Sequence, residues 1–98
     1  MIVIVQHKVR DYDAWKLVFY EHQAIRMRHG ATGHELYRSL GDPNEITTVS
    51  QFPSREQAEA FFSDPSLKEA MDLAGVISEP HFTWADETEA VDYTAKAV

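Results

Sequence analysis

Residues 1–9 (MIVIVQHKV) alternate as a β-strand does, and the first half of this strand is apolar on both of its faces. Val3 and Val5 fall on one face. Ile2 and Ile4 fall on the other. A strand that is apolar on both faces belongs in a sheet that is covered on both sides, because a solvated face carries polar side chains. The sequence therefore predicts a central strand that needs two covering layers.

Residues 11–30 (DYDAWKLVFYEHQAIRMRHG) have the spacing of one long amphipathic helix. Asp11 is a suitable N-cap, and Gly30 is expected just beyond the C-terminal end of the helix. Steps of three and four residues place five side chains on one stripe: Trp15, Phe19, His22, Arg26 and His29. Two histidines and an arginine on a stripe that should pack a core are the most informative anomaly in this sequence.

The rest of the sequence predicts three further strands and a second helical region. Two hairpin strands, two helical segments and a last strand are expected at residues 33–40, 45–52, 53–64, 66–74 and 81–85. Ser54 and Gln57 have the spacing of a helix-capping pair. The order βαββαβ with right-handed crossovers predicts an α+β, ferredoxin-like domain, in which a four-stranded antiparallel sheet carries both helices on one face.

Helices on one face leave the other face of the sheet bare, although the first strand is apolar there as well. A second copy of the chain is a simple cover for such a face, so the sequence predicts a homodimer. The predicted domain spans residues 1–86. Residues 87–98 are acidic and then small and weakly patterned. They are expected to form a C-terminal tail or an arm laid on the partner.

Composition narrows the classes of partner. A net charge of −7 argues against nucleic acid and anionic membranes, which both attract basic surfaces. The sequence contains no cysteine, no phosphate-binding glycine loop and no apolar run near the roughly 20 residues that span a bilayer. The histidines lack the close spacing of metal ligands, so no metal is expected. With no signal-peptide pattern at the start, a cytoplasmic location is expected.

Five motifs carry a resemblance to a known family: QHKV, DYDAWKLVFYEH, GDPNE, FPSREQAEAFF and SLKEAMDLAGV. Over residues 1–86 the sequence resembles the dimeric α/β-barrel superfamily, and within it the small antibiotic-biosynthesis-monooxygenase-like proteins, some of which are called cyclases. That superfamily includes cofactor-free oxygenases of phenolic polyketides, polyketide cyclases, isomerases and haem-handling proteins. The resemblance implies a dimeric barrel with a ligand pocket between the sheet and the helices of each protomer.

The implied pocket supplies the candidate site residues. Its expected lining consists of His7, Trp15, Phe19, His22, Tyr37, Phe62, Met71 and Trp84. Arg26 joins the substrate-binding set, because a guanidinium can clamp a carboxylate or stabilise an enolate. The alternative for Arg26 is an ion pair with an acidic neighbour at the rim.

His22 is the first candidate for a catalytic group, and His7 is the second. A neutral imidazole in a partly apolar pocket can act as a general base near neutral pH, for example on a phenol or an acidic carbon. The alternative is a structural histidine whose ring is hydrogen-bonded to a backbone carbonyl or to Tyr37.

The resemblance and the His22 stripe together predict a cofactor-independent enzyme that acts on a hydrophobic, aromatic or enolisable small molecule by general-base catalysis. Neither a cofactor nor a metal is expected. The second helical region holds no asparagine–tryptophan pair like that of the quinone-forming oxygenases. A polyketide cyclase or isomerase and a non-catalytic ligand-binding module are therefore alternatives.

Overall fold

The computed structural model describes residues 1–94, which form a four-stranded antiparallel sheet with helices packed on one face. The strands are β1 (Ile2–Lys8), β2 (Gly33–Arg38), β3 (Glu45–Gln51) and β4 (His81–Ala85). The helices are α1 (Tyr12–Glu21), α2 (Gln23–Arg28), α3 (Arg55–Phe62) and α4 (Pro65–Ala74). The predicted α+β, ferredoxin-like fold is confirmed.

β1 lies inside the sheet, as its apolar pattern predicts. The strand order is β2-β3-β1-β4, so β1 pairs with β3 on one side and with β4 on the other. Val3 and Val5 face the helices and are buried against Phe52 and Phe61. β2 and β4 are the edge strands. The helix-covered face of β1 therefore holds much of the core.

The predicted single helix over residues 11–30 is wrong, because the helix is interrupted at His22 and forms α1 and α2. The backbone of His22 (φ −87°, ψ −1°) makes a tight turn, and its carbonyl accepts from the Ile25 N–H at 3.1 Å. Such a turn still keeps residues three and four apart on one face. Spacing alone therefore cannot distinguish two joined helices from one straight helix.

The predicted helix ends are confirmed. Asp11 caps α1, and Ser54 caps α3 by accepting from the Gln57 N–H at 3.2 Å. The Ser54 hydroxyl also donates to Gln57 Oε1 at 3.1 Å. Gly30 and Gly75 follow α2 and α4 with φ values of +98° and +78°, a backbone region that glycine enters without a side-chain clash.

The face of the sheet opposite the helices has an apolar centre that is only partly buried. Ile2, Ile4 and Val49 lie there, because they alternate with the helix-facing residues of β1 and β3. Ile4 pairs with Val49 on one side and with Thr83 on the other. This bare apolar face is the surface on which the sequence predicts a second copy of the chain.

Residues 86–94 continue from β4 on the surface without forming a strand or an α-helix. Residues 95–98 of the predicted tail lie outside the described part of the chain. Within residues 1–94, no helix combines the length and the apolar character needed to cross a membrane.

Candidate active site

A largely apolar cavity of about 90 Å³ lies between the helix-covered face of the sheet and the four helices. Side chains from β1, β3 and β4 line one side, and side chains from the helices line the other. Seven of the predicted site residues meet at this cavity: His7, Trp15, Phe19, His22, Arg26, Phe62 and Met71. Their roles remain predictions, whereas their common location is a property of the fold.

His7 projects from β1 towards the helices, because it alternates with Val3 and Val5 along the strand. Its side chain is buried, and its ring lies 5.7 Å from that of Trp15. Neither Nδ1 nor Nε2 has a hydrogen-bond partner within the described residues. Burial lowers the pKa of His7, because removal from water disfavours the charged imidazolium. His7 is therefore a neutral imidazole at neutral pH.

His22 occupies the turn between α1 and α2, which directs its ring into the cavity beside Phe61. The side chain is 9% exposed, and its Nε2 has no hydrogen-bond partner among residues 1–94. Burial lowers the pKa of His22, and the positive charge of Arg26 lowers it further, while Asp64 opposes the shift. His22 is therefore neutral near pH 7, with a ring nitrogen that is free to accept a proton.

The alternative that Tyr37 holds His22 in place is wrong. The Tyr37 hydroxyl donates to Glu35 Oε2 at 2.7 Å, and this tyrosine is half exposed. Tyr37 alternates with Leu36 along β2, so it points to the bare face of the sheet, away from the cavity. Its predicted place in the pocket is therefore wrong as well.

Trp84 also lies outside the cavity, although it does face the helices. It is opposite Val3 in the β1–β4 ladder, stacks on Phe82 at 6.3 Å between ring centroids, and lies beneath the Arg55 guanidinium at 5.0 Å. Phe82, two residues earlier on β4, takes the position in the cavity wall. The sequence pattern identified the correct face of β4 but not which aromatic side chain reaches the cavity.

Arg26 is the most deeply buried charged residue of the site, with 4% of its surface exposed. Its guanidinium carbon lies 3.7 Å from the ring centroid of Phe19, which is a cation–π contact. Its Nη2 has no hydrogen-bond partner within residues 1–94. Burial lowers the pKa of Arg26 to about 10, so the side chain still carries its charge at neutral pH.

The predicted alternative for Arg26, an ion pair with an acidic neighbour, does not occur among the described residues. Asp64 is the acidic group whose charge influences the neighbouring His22. This carboxylate accepts from His29 Nε2 at 2.9 Å and from the hydroxyl of Ser66 at 2.7 Å. Arg26 is therefore a buried cation that faces the cavity without an anionic partner.

Sequence reasoning missed two small polar residues of β3 in the cavity wall. Thr48 and Ser50 are both buried and line the cavity. They lie opposite Val5 and Val3 in the β1–β3 ladder, on the same side as Ile46. The alternation of β3 about the apolar Ile46 was the available signal, because residues two and four positions later share its face.

Residues 1–94 contain no group of three or more His, Asp or Glu side chains placed to hold a metal ion.

Arg26 also borders a second, separate pocket of about 300 Å³, which His34 and Gln23 help to form. The rings of His34 and Phe19 meet edge to face at 5.0 Å. The Arg26 side chain thus separates the apolar cavity from a more polar pocket.

Comparison with solved structures identifies the fold. The chain is similar to a putative antibiotic biosynthesis monooxygenase from Bordetella bronchiseptica, with a TM-score of 0.76 and 17% identity over 90% of this chain and 96% of that one. A second similar structure is SnoaB from Streptomyces nogalater, a cofactor-independent oxygenase, with a TM-score of 0.69 and 18% identity over 89% and 93% of the two chains.

A third similar structure is a putative antibiotic biosynthesis monooxygenase from Caulobacter crescentus CB15, with a TM-score of 0.72 and 17% identity over 90% of this chain and 89% of that one. No protein-family model matches the sequence. No curated protein matches it either. The three-dimensional likeness nevertheless spans almost the whole chain, so this protein has the fold of the antibiotic-biosynthesis-monooxygenase-like proteins, as its sequence motifs predict.

Proposed function

We propose that this protein is a cofactor-independent small-molecule enzyme of the antibiotic-biosynthesis-monooxygenase-like type, and that His22 is its general base. The observation that carries the proposal is the buried Nε2 of His22, which faces an apolar cavity and has no partner within the described residues. A buried polar atom of this kind is costly unless a ligand satisfies it. Its lowered pKa keeps the ring in the form that accepts a proton.

The reaction begins when His22 Nε2 takes a proton from an O–H or an acidic C–H of the bound substrate. The electron pair stays on the substrate as a phenolate or enolate, whose negative charge the guanidinium of Arg26 stabilises. His7 provides a second neutral imidazole on the same cavity. The aromatic walls from Trp15 and Phe19 suit a flat, hydrophobic substrate.

An oxygenase uses this anion as an electron donor to dioxygen. A polyketide cyclase or isomerase uses the same anion to attack a carbonyl or to take back the proton at another carbon. The oxygenase is the leading proposal, because SnoaB, which shares the fold, is a cofactor-independent oxygenase. Oxygen uptake distinguishes the two reactions, since only the oxygenase consumes dioxygen.

The assembly that we propose is a homodimer joined through the bare sheet face around Ile4 and Val49. Two features support this: the apolar centre of that face and its partial exposure in a single chain. A cytoplasmic location belongs to the same proposal, as does the assignment of residues 87–98, of which 95–98 lie outside the described part of the chain, as a C-terminal tail or dimer arm.

The test compares His22→Gln with His81→Gln, which makes the same chemical change on an exposed residue of β4. Purified proteins are screened with simple phenols and 1,3-dicarbonyl compounds, with oxygen uptake and product formation as readouts. We expect His22→Gln to lower kcat by about 10²–10⁴-fold while substrate binding is retained, since that is the usual contribution of a general base. His81→Gln should behave as the wild type does.

Two outcomes would contradict the proposal. A His22→Gln variant that keeps kcat within about threefold of the wild type would place the base elsewhere. Saturable binding of a phenol without turnover in the wild type would identify the chain as a non-catalytic ligand-binding module.

A further inference from the structure

The cavity holds a fixed positive charge, whereas the phenolate or enolate that it would stabilise exists only after the proposed proton transfer. Arg26 is 4% exposed, its Nη2 is unpartnered within residues 1–94, and none of the ion pairs of the described residues includes it. Buried guanidinium groups are otherwise paired with carboxylates or phosphates, because an isolated buried charge is strongly destabilising. The missing partner is therefore an anion that comes with the ligand.

The guanidinium is also held in place before any ligand arrives. It stacks on Phe19 at 3.7 Å, and Phe19 in turn is stacked on Trp15 at 5.0 Å. A planar fork fixed in this way offers parallel N–H donors to the two oxygens of a carboxylate. A lysine in the same position would offer only a point charge on a flexible stem.

The titratable neighbours named here do not supply the anionic partner of Arg26. Burial lowers the pKa of both His22 and His34, and the positive charge of Arg26 lowers each pKa further, so both rings favour the neutral form. Asp64 is occupied by His29 and Ser66. An incoming carboxylate would therefore be the principal negative charge near this guanidinium.

The size of the cavity limits the rest of the ligand. Its volume of about 90 Å³ is far below the roughly 300–1,000 Å³ of pockets that hold drug-sized molecules. A protein cavity of about 150 Å³ binds a single benzene ring. A substrate with three or four fused rings therefore far exceeds this cavity, whereas a single substituted ring fills it and extends through its open side.

We infer that the ligand of this site is a small carboxylate of about one ring in size, with its carboxylate on Arg26 and its apolar body between Trp15, Phe19 and Phe62. This inference rests on the proposed function only in placing the substrate in the cavity. The acidic proton that His22 removes is then that of an O–H group on the ring or of a C–H group on the carbon next to the ring. The site selects against neutral isosteres, because they leave the buried guanidinium unpaired.

Benzoate, benzamide and 2-anthracenecarboxylate test both parts of the inference by calorimetry on the full chain. Benzamide has the shape of benzoate without its charge, and 2-anthracenecarboxylate has the charge with two more rings. We expect benzoate to bind at least tenfold more tightly than benzamide and 2-anthracenecarboxylate. Equal affinity for benzoate and benzamide, or no measurable binding of benzoate, would overturn the assignment of an anion. Equal affinity for the two carboxylates would overturn the limit to one ring.

Variants on α2 then locate the charge. Arg26→Gln should weaken benzoate binding by about 10- to 100-fold and leave benzamide binding unchanged, whereas Arg26→Lys should restore part of the affinity for benzoate. Arg28→Gln removes an exposed arginine two residues away on the same helix and serves as the control. If Arg26→Gln fails to fold, Arg26→Lys and the benzoate–benzamide pair still decide the question.

The failure of this inference is separable from the failure of the proposed function. Benzoate binding that depends on Arg26 needs no turnover, so it stands even if His22 proves not to be a base. Turnover of a neutral phenol, lost in His22→Gln but unaffected in Arg26→Gln, would support His22 as the base. It would overturn both the carboxylate ligand and the proposed stabilisation of the substrate anion by Arg26.

Discussion

Three buried side chains of this protein carry polar atoms without a partner in the described residues: His7, His22 and Arg26. In water each of these atoms would be hydrogen-bonded, so burying them unpaired lowers the stability of the fold. All three line one cavity, so their unpaired polar atoms share one location instead of being scattered through the core. Stability given up at one concave location is typical of a binding or catalytic site.

The lowered pKa values of His7 and His22 predict how stability depends on pH. Both shifts come first from burial, so the folded protein takes up protons at these rings less readily than the unfolded chain does. Well above pH 6.5 both histidines are neutral in the folded protein and in the unfolded chain alike. As the pH falls below about 6.5, the unfolded chain binds protons first, and the free energy of unfolding decreases.

Urea unfolding at pH 7.5 and at pH 5.5 measures this effect. The loss of stability between the two pH values should be smaller in His7→Gln and in His22→Gln than in the wild type. The exposed control His81→Gln should retain the loss seen in the wild type. A wild-type protein that is more stable at pH 5.5 than at pH 7.5 would contradict the assignment of two neutral buried rings.

At the scale of elements, a small polar cluster ties α2 to α4 beside the cavity. His29, just after α2, donates to Asp64 Oδ2 at 2.9 Å, and Asp64 is also the N-cap of α4. Asp64 Oδ1 accepts from the backbone N–H of Ser66 at 2.9 Å. This one carboxylate therefore caps the start of α4 and links it to the C-terminal end of α2.

Asp64→Ala should lower the melting temperature at pH 7 by about 5 °C, because it removes both the cap and the contact with His29. The hydrogen bonds from His29 and Ser66 hold the pKa of Asp64 far below its usual range. A depressed pKa contributes stability above about pH 4 and loses it as the pH falls further. The difference in melting temperature between the wild type and Asp64→Ala should therefore shrink below pH 4.

Thermal unfolding followed by circular dichroism from pH 3 to pH 7 tests this prediction. Asp72→Ala removes an exposed carboxylate from the same helix and should change the melting temperature little. Asp64→Asn keeps an oxygen that can cap α4 but cannot ionise, so it should lie between the wild type and Asp64→Ala at pH 7. An unchanged melting temperature in Asp64→Ala would show that the cluster does not hold α2 and α4 together.

The elements that sequence predicted well are those specified by local chemistry. Gly30 ends a helix because of its own backbone freedom, and the central place of β1 follows from its own side chains. The features that sequence could not supply depend on contacts across the fold. The helix break at His22 preserves the spacing of three and four residues, so the pattern does not show it. The lack of an ion-pair partner for Arg26 among the described residues depends on which acidic side chains the fold brings near it.

In the molecule as a whole, the two faces of the sheet differ in how they are covered. The helices cover Val3 and Val5, whereas Ile2 and Ile4 on the opposite face are only partly buried in one chain. A face of this character is a typical site of association between protein chains. It is therefore the place to test the proposed homodimer.

We expect light scattering coupled to size exclusion to give twice the chain mass of 11.2 kDa for the wild type. Ile4→Lys should give a monomer, because a lysine at the centre of the bare face would bury its charge in the dimer. Leu17→Lys places the same charge at an exposed position on α1 and should remain a dimer. A wild-type monomer, or an Ile4→Lys dimer of unchanged stability, would rule out this interface.

The position of β1 between β3 and β4 also determines the order in which the fold can be completed during synthesis. Its two ladders join residues 2–8 with residues 45–51 and residues 2–6 with residues 81–85. At about 5–20 residues per second, the ribosome delivers β4 about 4–15 s after β1. β1 thus stays without its β4 partner until residues 81–85 are made, and during that interval its open edge can associate with other nascent chains.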